Sequence, residues 1–405
     1  MRLFSTFCFL AAFVVVLPAS GQTPIHLPVD YLAKFQISNK TTHEFTIDLK
    51  ADDVCNITID APEDAPILMS IVLPTGVELA KDIEPNEGYI FVTDGPGTYK
   101  LVFSVAEGIS EEDLAKVNGK EITVRYSNKF SLPRGTKTVA VKTINGYQVK
   151  IADETGEEGK TFFTVQKSGK LKAVMRAEKE IAGGFYFSDD PTQLDGANAK
   201  VSASLMRTTA DKTGDGTPDV AVEYYSGGAH CCFEITFFEL GSGVRQLPTI
   251  GTENDRMTAV AKKPGGGLRY EFSEQAFAYW NINFAQSPMP TIIWEFDKSD
   301  RLIPRFDLMK KPGPTAAKLK RDAASMKSKM NLNPYTSPED NFNDWEEPFW
   351  AEMLDLIYTG HEDLAWRYFD LVWPAKKKGK EKFRSDFNEQ LSTATYGQWK
   401  KDHPH

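Results

Sequence analysis

The sequence predicts a mainly β protein. It comprises an N-terminal β-sandwich, a central β-domain (propeller-blade-like or a sandwich) and a small C-terminal helical cap. Three observations predict this. Apolar and polar residues alternate from about 28 to 126, turn-bounded strand-like runs fill 138–312, and the apolar period becomes helical after Lys311-Pro312-Gly313-Pro314. At 405 residues the chain is too long for one ordinary core.

Residues 1–21 are expected to be a signal peptide. Arg2 gives a charged start, 10–17 (LAAFVVVL) an apolar run too short to span a bilayer, and Ala19-Ser20-Gly21 the small residues of a cleavage site. No later run is long and apolar enough for a transmembrane segment. The expected mature protein is therefore exported and soluble, either periplasmic or secreted. The net charge of −9 argues against a nucleic-acid partner and suits bound cations.

In 22–127, Phe45, Ile47 and Leu49 alternate with polar neighbours, as do Cys55, Ile57 and Ile59, and then Tyr99, Leu101 and Phe103. Residues 67–73 read as a more continuous strand, 110–117 as a helical turn capped by Ser110, and 122–126 as a closing strand. The run ending in LPTG, a polar stretch and then PGTYKLVFSV resembles the bacterial pre-peptidase C-terminal domain. That resemblance implies a jelly-roll-like module of secreted proteins.

Residues 128–137 (NKFSLPRGTK) read as a linker. In 138–312, Asn145-Gly146 signals a two-residue hairpin, because these residues accept the positive φ of a type I′ turn. Strands are expected at 161–166, 185–187, 220–225, 233–240, 269–273, 276–284 and 291–296, and Pro264-Gly265-Gly266-Gly267 reads as a loop.

Beyond 313, a polar helix is expected over 315–330. A second helix starts at Glu347-Pro348, groups Trp350, Leu354, Ile357 and Tyr358 on one face, and stops at Gly360. A third, over 362–372, groups Ala365, Tyr368, Phe369 and Val372, and a fourth carries Phe383, Phe387 and Leu391. The aromatic stripe is expected to dock on the β-region, and the basic run 376–382 to be a solvated loop.

The chemistry concentrates in 211–240 (DKTGDGTPDVAVEYYSGGAHCCFEITFFEL). Asp211, Thr213, Asp215, Thr217 and Asp219 stand at alternate positions, with Gly216 permitting a sharp turn. A hard cation such as calcium takes six to eight oxygens, and a tight loop offers them at this spacing. Three carboxylates in nine residues also repel one another unless a cation is bound. Val222 stands where an EF-hand carries its distal Glu, and the strand VAVEYY follows. The loop thus resembles the D-x-N-x-D-G-x-x-D calcium loops of FG-GAP and related β-propeller repeats. The resemblance implies a structural calcium ion, with Thr213 a weaker donor than the usual Asn or Asp.

The SGGAHCC turn follows. Adjacent Cα atoms lie about 3.8 Å apart, below the ordinary disulfide range of about 4.4–6.8 Å, so a Cys231–Cys232 bridge would be a strained ring. Three readings stay open: that vicinal disulfide, a bridge from one of the pair to Cys55, or a soft-metal or redox site of His230 with the thiolates. A nucleophilic Ser226–His230 pair lacks both a third member and a G-x-S-x-G elbow. GDGTPDVAVEYYSGGAHCC, with AFAYWNINFAQSPMP at 276–290, resembles a group of exported bacterial proteins, implying a shared fold and compartment and no activity. The expected function is that of a calcium-binding, non-enzymatic binding or scaffold protein with a protein or carbohydrate ligand. Tyr224, Tyr225, Tyr279 and Trp280 are candidate contacts. A hydrolase or redox enzyme working at His230-Cys231-Cys232 is the alternative.

Overall fold

The computed structural model describes residues 24–403 apart from 31, 37–41, 63, 64, 66, 77, 84–88, 94, 106–109, 111, 113, 114, 116, 117, 157, 158, 180–182, 191–198 and 228–232. The expected signal peptide lies outside the described residues, as does most of the helical turn at 110–117. The chain is mainly β, with a helical C-terminal region. It forms two compact units. One contains everything up to Tyr186 plus Tyr224–Gly228 and Thr236–Pro248, and the other Phe187–Glu223, Ala229–Ile235 and Thr249–His405.

The first unit opens with β1 (Ile25–His26), β2 (Leu32–Gln36), β3 (His43–Leu49), β4 (Val54–Asp60), β5 (Ile67–Val72), β6 (Glu78–Ile83), β7 (Tyr89–Val92), β8 (Gly97–Val105) and β9 (Glu121–Ser127). They form two sheets, β1-β3-β8-β5-β6 and β2-β9-β4-β7. The alternation in the sequence decides which side chains go between them. Phe45, Ile47 and Leu49 of β3, Cys55, Ile57 and Ile59 of β4, and Tyr99, Leu101 and Phe103 of β8 share one buried core. Phe35, Phe45 and Phe103 pack with ring centroids 5.3–5.7 Å apart. This is the expected sandwich.

After the irregular stretch at 128–136 comes a four-stranded meander of β10 (Lys137–Ile144), β11 (Tyr147–Asp153), β12 (Gly159–Lys167) and β13 (Lys170–Lys179). Asn145 (φ 48°) and Gly146 (φ 77°) make the expected tight turn between β10 and β11. The next sheet has the order β14-β15-β16-β17, from β14 (Gly184–Phe187), β15 (Asp219–Tyr225), β16 (Phe233–Leu240) and β17 (Val244–Gln246). β18 (Ile250–Glu253) also pairs with β16. Helix α1 (Ala199–Thr208) lies between β14 and β15 in the chain. A second meander, within the other unit, comprises β19 (Thr258–Lys262), β20 (Leu268–Ser273), β21 (Thr291–Phe296) and β22 (Leu302–Pro304).

The strand expected at 276–284 is not formed. Those residues make turns, with Tyr279 and Asn281 at φ 60° and 61°, a left-handed conformation that interrupts an extended chain. Phe277, Trp280 and Ile282 instead anchor the core of the helical region, so Trp280 is buried and not a surface contact. Tyr279 is 51% exposed.

The helices are α2 (Phe306–Met309), α3 (Ala316–Lys329), α4 (Trp350–Tyr358), α5 (Glu362–Val372), α6 (Lys380–Thr393) and α7 (Thr395–Asp402). Thr315 caps α3 by accepting the Lys318 amide, and Gly360 (φ 89°) follows the last turn of α4. The expected apolar faces of α4, α5 and α6 are all buried, in one cluster with Phe277, Trp280, Ile282 and Ile292. The expectation of a solvated basic run needs correcting at Lys377, which is buried. Its ammonium donates to Asn331 Oδ1 (2.7 Å) and the Asn333 carbonyl and stands 4.9 Å from the Trp345 ring centroid. Among the described residues no helix is long and apolar enough to cross a membrane.

Candidate metal centre

The 211–219 loop joins α1 to β15, and its backbone is closed by Asp219 N–H donating to the Ala210 carbonyl (2.8 Å). Its acidic side chains turn back onto the loop's own amides. Asp211 Oδ1 accepts from Gly214 N (2.5 Å) and Oδ2 from Gly216 N (2.9 Å). Asp215 Oδ1 accepts from Thr217 N (2.7 Å), and its Oδ2 from the Thr217 hydroxyl (3.1 Å). These are local turns of the kind that short acidic side chains favour. Gly214 (φ 99°) and Gly216 (φ 97°) supply the left-handed positions that bring the amides round.

Asp219 is different, because it is buried at 1% exposure. Its Oδ2 accepts from Lys212 N (2.6 Å), Thr213 N (3.0 Å) and the Thr213 hydroxyl (3.3 Å), while Oδ1 is buried with no partner. Burial pushes its carboxyl up to about 7; the two amides and the Lys212 ammonium act against this, and the Asp211 charge adds to it. Buried Thr213 thus serves Asp219, and the exposed Asp215 is tied to Thr217. Among the described residues, Asp211, Asp215 and Asp219 do not bring one oxygen each within 4.8 Å of one another.

A second segment holds the loop, and sequence reasoning missed it. The Pro264-Gly265-Gly266-Gly267 turn between β19 and β20 lies backbone to backbone on the loop. A Cβ on Gly267 (φ 80°) would come within 2.8 Å of Gly214 N and the Thr213 carbonyl. The Lys263 ammonium bridges the carbonyls of Thr213 (3.1 Å) and Phe296 (3.0 Å). The Lys212 carbonyl accepts from Leu268 N (2.9 Å) and the buried Tyr270 hydroxyl (3.0 Å), while the Lys212 ammonium donates to the carbonyls of Thr209 (3.1 Å) and Asp219 (2.7 Å). The Gly-rich run was legible as a turn. Its target was not, because nothing local says where a turn packs.

His230, Cys231 and Cys232 lie outside the described residues, which leaves open the vicinal disulfide and the His230–thiolate site, while the expected bridge to Cys55 is not formed, because Cys55 is a free thiol. Ser226 is half-buried. Cys55 is a free, fully buried thiol in the sandwich core, and burial pushes its pKa far up, so it behaves as a small apolar side chain. Tyr224 uses its hydroxyl on the Glu178 carbonyl (3.1 Å). Scanned against protein-family models the sequence matches none, and a search of curated proteins also gives no match.

Proposed function

We propose that this is an exported calcium-binding protein that works by binding or scaffolding and not by catalysis, with the 211–219 loop as the calcium site. The observation that carries the reading is Asp219 Oδ1. A buried carboxylate oxygen without a partner costs about 1–3 kcal/mol or more, and a hard cation is the partner it suits. Asp211, Asp215 and Asp219 would hold the ion with the Thr217 carbonyl. Asp215 is exposed at the loop's surface, where its carboxylate accepts from the Thr217 amide and hydroxyl. Calcium supplies charge neutralisation and cross-links the loop to β15, which ties α1 to the sheet.

Thermal unfolding in calcium and in chelator tests this. A bound ion raises the midpoint by mass action, by several degrees at saturation. Asp219→Asn keeps an acceptor for the Lys212 and Thr213 amides yet removes the charge, and it should abolish the shift.

A second reading is favoured by Lys263 and Lys212, whose ammoniums already stand at the loop's carbonyls. On that reading the lysines are the loop's only cations. Calcium would leave the midpoint unmoved, while Lys263→Met would lower it. An enzyme working at His230-Cys231-Cys232 would show itself through an activity lost in Cys231→Ser with folding intact.

A further inference from the structure

An open cavity of about 560 Å³ lies in the second unit, against the solvent-side face of β20 and β21, α2 and α4. That volume is within the range of small-ligand sites. Met289, Ile293, Leu308 and Met309 give it an aliphatic and thioether wall. Four charged side chains also line it, and two of them, Glu271 and Lys310, have no hydrogen-bond or ion-pair partner among the described residues.

That lack of partners is unusual for its surroundings. Glu295, on the same face of the sheet one pair along from Glu271, is held by both Arg269 and Arg305. Lys311 and Asp355, the other two charged lining residues, pair with each other at 3.6 Å. Glu271 is half-buried in register with Ile293, and burial alone raises its carboxyl, so no neighbouring cation offsets the cost. Lys310 lays its stem along Gly360 and leaves its ammonium at the surface. The cavity therefore presents an anion and a cation, each unpaired, with apolar wall around them.

We propose that this cavity binds a short peptide with apolar side chains. Its N-terminal ammonium would pair with Glu271, its C-terminal carboxylate with Lys310, and its side chains would lie against the Met289, Ile293, Leu308 and Met309 wall. A metal ion does not use such a wall. A sugar stacks on exposed aromatic faces, whereas the lining aromatic, Tyr358, is only 1% exposed, and an uncharged lipid chain leaves both charges unpaired. Methionine side chains adapt to different apolar shapes, so selectivity should rest on the two termini more than on which apolar residue is present. The inference rests on the binding-protein reading and names its partner class. It does not depend on the calcium loop.

The test is calorimetric titration of the full chain with Leu-Leu-Leu, its N-acetyl form, its C-terminal amide and free leucine, each in calcium and in chelator. Leu-Leu-Leu is expected to bind, with N-acetylation weakening it about tenfold or more and amidation also weakening it. Glu271→Gln should weaken Leu-Leu-Leu to the same degree and add nothing to the loss caused by N-acetylation. Lys310→Met should do the same with respect to the amide. Indifference of the unmodified protein to N-acetylation overturns the proposal without needing any variant to fold, and so does no binding at all. Free leucine binding as tightly as the tripeptide overturns the peptide assignment in favour of an amino acid. Peptide binding without a calcium shift leaves this site standing and removes the calcium reading alone.

Discussion

Asp219 shows how one atom can set the chemistry of a loop. Its carboxyl is raised to about 7, so the folded protein holds this proton at pH values where the unfolded chain, near 4, has lost it. Between those values the native state binds more protons, and stability must fall as pH rises. In chelator, the unfolding free energy should drop between about pH 4 and pH 7, by on the order of a few kcal/mol. Asp219→Asn should flatten that slope. A chelated protein with no slope in this window, or an unchanged slope in the variant, contradicts the burial of an unpaired carboxylate. Gly267 is the second informative residue. With φ 80° and no room for a Cβ, Gly267→Ala should cost about 1–3 kcal/mol, read as a lower denaturation midpoint at unchanged m-value.

At the scale of elements, the β19–β20 turn acts as a clamp on the acidic loop. Lys263 is its bolt, because one ammonium joins the Thr213 carbonyl to that of Phe296 at the end of β21. Charge-assisted hydrogen bonds contribute about 1.5–3 kcal/mol each before desolvation is counted, so Lys263→Met should destabilise by about 1–3 kcal/mol. If the loop is held by its own turns alone, the midpoint of that variant will not move. Most elements were legible from period and punctuation. The period-two runs at Phe45 and Tyr99 fixed which faces of β3 and β8 are inward, and Thr315 and Gly360 marked helix ends. The strand misread at 276–284 failed for a physical reason. Phe277, Trp280 and Ile282 follow no fixed period, because they meet a helical core made of residues from 306 onward. The acidic spacing pointed to the loop, yet it could not show that Asp219 alone would be buried while Asp211 and Asp215 turned onto local amides.

At the scale of the molecule, the C-terminal region is more than a thin cap, since its cluster is built around Phe383. Rings of Trp280, Tyr335, Trp345, Phe349, Trp350, Phe369, Trp373 and Phe387 all lie within 6.3 Å of its centroid. Removing a buried Phe leaves a cavity as well as losing transfer free energy, so Phe383→Ala should cost about 3–5 kcal/mol. Trp280 and Phe277 reach this core from the meander side of the same unit, so helices and β19–β22 should unfold together. Circular dichroism and tryptophan fluorescence should report one transition there.

The central claim is that the 211–219 loop holds a calcium ion that completes Asp219. Its most direct measurement is the unfolding midpoint of the protein in saturating calcium against chelator, repeated for Asp219→Asn and Asp215→Ala. The account predicts a rise of several degrees in the unaltered protein, with none in Asp219→Asn and little in Asp215→Ala. An equal midpoint with and without calcium, or a full shift surviving in Asp219→Asn, would contradict it and leave Lys212 and Lys263 as the loop's own cations.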